Sequence, residues 1–146
     1  MIKQLQIENL AHLIPLFDEY MVFYEKESNP LKHEAYLRER IEKNEATVFI
    51  AYDDNDQPVG FVLNYHSFSS TALGRIIVLN DLYVSKTERN KGIGQRMIDR
   101  TLELAKELGA VRVDLGTAKT NIQAQGLYEK IGFAQDTEFY SYSYSL

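Results

Sequence analysis

Apolar positions along the chain switch between a period of two and a period near three and a half, and the switches mark its elements. Ile2 to Ile7 alternates as a short strand. Leu10 to Tyr24 sets Leu13, Phe17, Tyr20, Met21 and Tyr24 on one helical stripe. Ser28-Asn29-Pro30 breaks that helix, and a second one over His33–Glu42 turns Tyr36, Leu37 and Ile41 inward. Thr47 to Tyr52 is rich in β-branched residues, Asp53-Asp54-Asn55-Asp56 supplies turn chemistry, and Val59 to His66 returns as the hairpin partner. Arg75 to Val84 is the longest strand candidate. Gly94 to Leu108 carries Met97, Ile98, Leu102, Leu104, Ala105 and Leu108 at helical spacing, and Gly109 ends it. Val111–Leu115 reads as a strand, Asn121–Ile131 as a helix, and Asp136–Tyr144 as a closing strand with Tyr140, Tyr142 and Tyr144 on one face.

The order β-α-α-β-β-β-α-β-α-β predicts an α/β fold: a single mixed, mostly antiparallel β-sheet flanked by helices on both faces. Antiparallel pairing comes early, and a parallel neighbour follows the crossover helix. No internal repeat, linker or low-complexity tract interrupts it, so residues 1–146 are expected to form a single domain.

Composition narrows the function classes. Hydrophobic residues at 45% and charged residues at 25% are the globular norm. A net charge of −5 argues against a general electrostatic grip on nucleic acid. The absence of cysteine excludes disulfides, thiolate metal sites and thiol catalysis. His12, His33 and His66 lie far apart and match no metal spacing, so no metal is expected. Met1 to Gln6 lacks the apolar run of a signal peptide, and no stretch approaches the ~20 apolar residues that span a bilayer. A cytoplasmic protein without a membrane partner is the expectation.

The most informative stretch runs from Leu82 to Gln95: a strand, a polar loop, then Gly92-Ile93-Gly94 opening a strong helix. Backbone N–H groups at a helix start have no internal partner and sit at the positive end of the dipole, where a phosphate binds. Gly92 and Gly94 let an anion approach without Cβ interference, and Arg89 and Lys91 add positive charge. No Gly-x-x-x-x-Gly-Lys-Ser/Thr string exists, so this is not a P-loop. Asp114 stands about where a dinucleotide fingerprint wants its ribose-binding acid. But Met97 fills that fingerprint's third glycine position, and the strand-to-glycine loop is too long.

Arg89-x-x-Gly92-x-Gly94 after the strand Leu79–Val84 resembles the acyl-CoA signature of the GCN5-related N-acetyltransferases (GNAT superfamily). Asn121-x-x-Ala124-x-x-x-Tyr128-x-x-x-Gly132-Phe133 resembles that superfamily's second signature, in the right order on the right elements. The close resemblance covers roughly Arg75 to Phe139.

The resemblance implies the acyl-CoA N-acyltransferase fold and transfer of an acetyl group from acetyl-CoA to a primary amine of a small molecule or peptide. It implies that the backbone of Leu82 and Val84 pairs with the pantetheine arm as an added strand. N–H groups of Asn90, Lys91, Gly92, Ile93, Gly94 and Gln95, with Arg89 beside them, would hold the pyrophosphate. Asn121 would bond the arm or pyrophosphate, and Ala124 would leave room. Tyr128 takes the position of the general acid: a phenol of pKa ~10 stays protonated at neutral pH and can protonate a thiolate of pKa ~8.5. The general base is open among Asp81, His66 and water, because Asn80 stands where some relatives carry a glutamate. Asp81 would point to the opposite face unless a bulge intervenes.

On the acceptor side, Phe17, Tyr20, Phe23 and Tyr24 would form an aromatic wall. His66 to Ser70 would be a loop opposite it, and Glu19, Glu25 and Glu27 nearby would suit a cationic amine. Several members of the superfamily dimerise through the final strand edge, so a homodimer is expected. Two other readings compete: a non-catalytic acyl-CoA-binding module of the same fold, and a fragment of a nucleotide-binding oxidoreductase.

Overall fold

Two hairpins, Ala46–Tyr52 with Pro58–Ser69 and Pro58–Ser69 with Gly74–Val84, build most of the sheet by antiparallel pairing across short turns. The computed structural model describes every residue from Met1 to Leu146. It forms two compact units, Met1–Leu115 and Gly116–Leu146.

In the first unit the elements are β1 (Ile2–Gln4), α1 (Leu10–Phe23), α2 (Pro30–Glu42), β2 (Ala46–Tyr52), β3 (Pro58–Ser69), β4 (Gly74–Val84), α3 (Ile93–Glu107) and β5 (Arg112–Leu115). The five strands lie in the order β1-β2-β3-β4-β5. The first three pairings are antiparallel, and β5 joins β4 in parallel after the crossover through α3. This is the mixed, mostly antiparallel sheet that the element order predicts.

Strand alternation sends one set of side chains to each face. Leu10, Leu13, Leu16 and Phe17 of α1, with Leu37 of α2, bury against Val48, Ile50, Phe61 and Leu63. The opposite face meets α3: Arg100 stacks on Phe49 with 4.5 Å from guanidinium carbon to ring centroid, and Thr101 donates to Asn64 Oδ1 at 3.1 Å. Met97, Ile98, Leu104 and Ala105 complete the buried stripe of α3. Helices therefore cover both faces.

Between β3 and β4 the register slips. Leu63 pairs with Asp81 and Asn64 with Leu79, which leaves Asn80 as an extra residue on β4. Pairing between β4 and β5 runs from Ile76↔Arg112 to Leu79↔Leu115 and ends beside the same point.

The second unit holds α4 (Ile122–Ile131), capped by Asn121 Oδ1, which accepts the Ala124 N–H at 3.3 Å. Its C-terminal turn places Gly132 at φ 124° and lets the Gly132 and Phe133 N–H groups both bond Tyr128 C=O.

Four expectations need correction. Residues 136–144 form no strand, and Tyr140, Tyr142 and Tyr144 are 90%, 91% and 89% exposed. Alternation describes faces and supplies no pairing edge, and Asp136 Oδ1 draws the N–H groups of Glu138 and Phe139 into a local turn instead. Asn29-Pro30 starts α2 rather than merely separating helices: Asn29 Oδ1 caps Lys32 N–H and Pro30 takes the first helical position. Tyr36 is 42% exposed rather than buried, and its hydroxyl meets that of Tyr65 on β3 at 2.6 Å. His66 to Ser69 continue β3 because the hairpin closes only at Ser69↔Gly74.

Candidate active site

The loop after β4 takes one short 3-10 turn at Lys86–Glu88 and then two left-handed residues, Asn90 at φ 64° and Gly92 at φ 76°. Gly92 is the N-cap of α3 and has no side chain to offer the helix. The first bond within α3 runs from Arg96 N–H to Gly92 C=O. The N–H groups of Ile93, Gly94 and Gln95 thus have no acceptor in the helix. A Cβ built on Gly92 or Gly94 meets no atom within 4 Å, so the backbone there is open to an approaching group. Three amides at the positive end of a helix, free of side-chain cover, fit a diphosphate.

The adjoining end of β4 supplies a second feature. Ser85 N–H bonds Val59 C=O, and Tyr83 C=O faces Gly60, so both of these point to β3. By alternation Leu82 and Val84 direct their N–H and C=O groups to the other edge, which β5 has left at Leu79. An extended amide-containing arm fits that edge as an added strand.

Arg89 and Lys91 are engaged within the protein. Arg89 Nε donates to Val84 C=O at 2.9 Å, and its guanidinium lies 5.7 Å from the ring centroids of both Phe23 and Tyr83. Lys91 Nζ pairs with Glu88 at 2.8 Å.

In the second unit, Asn121, Ala124 and Tyr128 follow one another at three- and four-residue spacing along one side of α4. Tyr128 is half-buried, with its ring 6.0 Å from that of Phe133.

The bulge at Asn80 separates the two side chains considered as a base. Past the extra residue, Asp81 pairs with Leu63 and Tyr83 with Phe61, so both side chains face α1. Tyr20 on α1 donates its hydroxyl to Asp81 Oδ1 at 2.6 Å, and Asn80 Nδ2 donates to Oδ2 at 2.9 Å. Burial, followed by the hydrogen bond to Asp81, pushes the Tyr20 phenol far above its ordinary pKa and keeps it a donor. His66 lies on the opposite face, with Nε2 2.8 Å from Thr47 Oγ1. Burial and then the charge of Arg75 lower its pKa. The two candidates therefore do not share a site.

Of the proposed aromatic wall, Phe17 is core, whereas Phe23 and Tyr24 are 61% and 54% exposed. Tyr20 bridges them, with ring centroids 4.8 Å from Tyr24, 5.7 Å from Phe61 and 6.1 Å from Tyr83. Tyr83 also donates to Glu19 at 3.3 Å. A separate apolar groove lined by Ile14, Pro15, Asp18, Glu19, Val22 and Pro30 shares only Glu19 with these groups. The Tyr20–Asp81 pair was not legible in advance, because nothing in the local pattern marks where a bulge falls.

Residues 13–133 match the model of the acetyltransferase (GNAT) family. The chain belongs to that family. The match takes in both the Gly92 loop and the Tyr128 helix and stops at Phe133, short of the tail. Among GNAT relatives, the chain is 37% identical over 141 residues to the "Uncharacterized N-acetyltransferase YhfO" of Bacillus subtilis (strain 168), covering 97% of this chain and 94% of that one. It is 27% identical over 131 residues to a thialysine N-epsilon-acetyltransferase of Caenorhabditis elegans, covering 90% and 81% respectively. The crystal structure of a probable acetyltransferase superposes with a TM-score of 0.93 at 35% identity, covering 100% of this chain and 97% of that chain. The GNAT fold is thereby shared along the whole length. No helix is long and apolar enough to cross a membrane, and no group of three or more His, Asp or Glu side chains is placed to hold a metal.

Proposed function

We propose that this chain is an acetyl-CoA-dependent N-acetyltransferase whose acceptor is a primary amine on a small molecule. The observation that carries this reading is the uncapped start of α3, opened by Gly92 and Gly94 at the end of β4. When bound, acetyl-CoA supplies a thioester carbonyl for the amine to attack and a thiolate to leave.

The chain's own groups have distinct tasks. Amides of residues 90–95 hold the pyrophosphate, with Arg89 and Lys91 as neighbouring cations. Leu82, through its outward N–H and C=O, and Val84, through its N–H, align the pantetheine arm, while Val84 C=O already accepts from Arg89 Nε. Asn121 adds a hydrogen bond, and Ala124 leaves room for the arm. Tyr128 gives its phenolic proton to the departing sulfur, and water takes the proton that the attacking nitrogen sheds as the amide bond forms and returns it to the phenolate. The outward N–H of Leu82 or Val84 stabilises the oxyanion. The thialysine relative acts on an amine, which supports an amine acceptor here. The exposed tyrosines of the tail support a homodimer, read out by light scattering on the eluting protein.

Replacing Tyr128 by Phe tests the assignment. Turnover should fall about a hundredfold or more, with acetyl-CoA affinity within threefold of the parent. Tight acetyl-CoA binding without turnover on any amine would make the chain a binding module, and full activity in Tyr128→Phe would remove the general acid.

A further inference from the structure

Asp81 has no part in the steps above, yet its carboxylate is only 9% exposed. Two neutral donors, Tyr20 and Asn80, satisfy one lone pair on each oxygen. No ion pair involves it. A buried carboxylate held by neutral donors keeps further lone pairs for a cation, and burial strengthens the attraction.

The surroundings favour the same guest. Tyr20, which donates to Asp81, makes T-shaped contacts with Phe61 and Tyr83 and a tilted one with the exposed Tyr24, so aromatic rings line this side of the carboxylate. The chain already places one cation in this region: the Arg89 guanidinium rests over Phe23 and Tyr83. Glu19, bonded to Tyr83, adds a second negative charge at the rim.

Resting on the acetyltransferase reading, we infer that Asp81 is a specificity-determining anchor for an ammonium group, and that the acceptor is a small molecule carrying two amino groups. The second amine follows from the chemistry. The attacking nitrogen must be neutral, with its lone pair free. A carboxylate beside aromatic faces favours the charged form of any amine it touches. The nitrogen held by Asp81 is therefore not the one that attacks. The bulge at Asn80 turns Asp81 to the α1 face, while Leu82, the next residue, presents its backbone to the other edge for the acyl arm.

The test compares diamines from diaminopropane to cadaverine with monoamines of equal length, such as n-pentylamine for cadaverine. Both turnover and equilibrium binding by calorimetry are measured on the whole chain. The parent should prefer a diamine by ~30-fold or more in kcat/KM, carried mainly by KM. Asp81→Asn should bring the ratio within about threefold, and Asp81→Glu should restore part of it. Tyr20→Phe, which keeps the ring and frees Oδ1, should lower the preference less; it also serves if Asp81→Asn does not fold. Turnover without discrimination in the parent, or a ratio unchanged in Asp81→Asn, overturns the anchor and leaves the acetyltransferase reading standing. Diamine binding that Asp81→Asn loses, without turnover on any amine, keeps the anchor and overturns the acetyltransferase reading. Neither binding nor turnover overturns both.

Discussion

Two glycines two residues apart should respond to alanine with opposite signs. Gly92 sits at φ 76°, and its would-be Cβ meets nothing within 4 Å, so Gly92→Ala adds no clash and only the strain of a left-handed alanine. That strain costs about 1–2 kcal/mol. Gly94 lies inside the first turn of α3 at an ordinary negative φ, again with open space around its Cβ. Gly94→Ala therefore gains helix propensity and loses unfolded-state freedom, about 0.5–1 kcal/mol in favour of folding. For a chain of this size 1 kcal/mol moves Tm by roughly 3–4 °C, so the two variants should differ by about 5 °C or more, on either side of the parent. Differential scanning calorimetry without ligand reads this directly. Equal Tm values would refute the left-handed conformation at residue 92. The same scan with acetyl-CoA tests the cradle: ligand at ~100 times its Kd should stabilise the parent by ~2.7 kcal/mol. Gly92→Glu, which puts bulk and negative charge against the diphosphate, should abolish that ligand-induced shift. A full shift in Gly92→Glu would show that the anion does not bind there.

Two more outcomes follow from packing and charge. A Cβ on Gly60 would lie 2.7 Å from Tyr83 C=O and 3.2 Å from Met97 Cε, and the carbonyl cannot retreat without opening the β3–β4 ladder. Gly60→Ala should thus lose about 1–3 kcal/mol in urea unfolding, and a neutral result would contradict the close strand approach. His66 has its pKa lowered in the fold by burial and by Arg75. The unfolded chain then binds the proton first, so stability should fall as pH drops below the unfolded value of ~6.5 and level off below the folded one. His66→Asn should flatten that part of the urea-midpoint profile, and an unchanged slope would remove His66 as its source.

Elements governed by local periodicity were legible in the sequence. The buried stripe of α3, the strand β2 and the long β4 emerge within one residue of their expected limits, and β3 runs three residues past its expected end. The Gly-x-Gly helix start was equally legible, because its meaning lies in backbone groups that any sequence exposes there. What the pattern left out depends on tertiary pairing. The direction of Arg89 is one case: beside a glycine-opened helix start it reads as a free cation, and its Nε donates to Val84 C=O while its guanidinium lies near two aromatic rings. The tail is another, since a strand-like alternation in residues 139–144 has no edge to join.

The bulge at Asn80 joins these points. Strict alternation from Ile77 and Leu79, which face α3, would send Asp81 to the same side, among Met97 and Ile98. A carboxylate there would meet an apolar helix face and none of its present donors. One unpaired residue reverses the parity, so Leu82 takes the α3 side while Asp81 and Tyr83 join Tyr20 beneath α1. The last pairing with β5 is at Leu79, so the outward amides of Leu82 and Val84 begin where the bulge does. A single insertion in β4 thus sets both a strand edge suited to an acyl arm and a buried carboxylate suited to a cationic amine, one on each side of the same three residues.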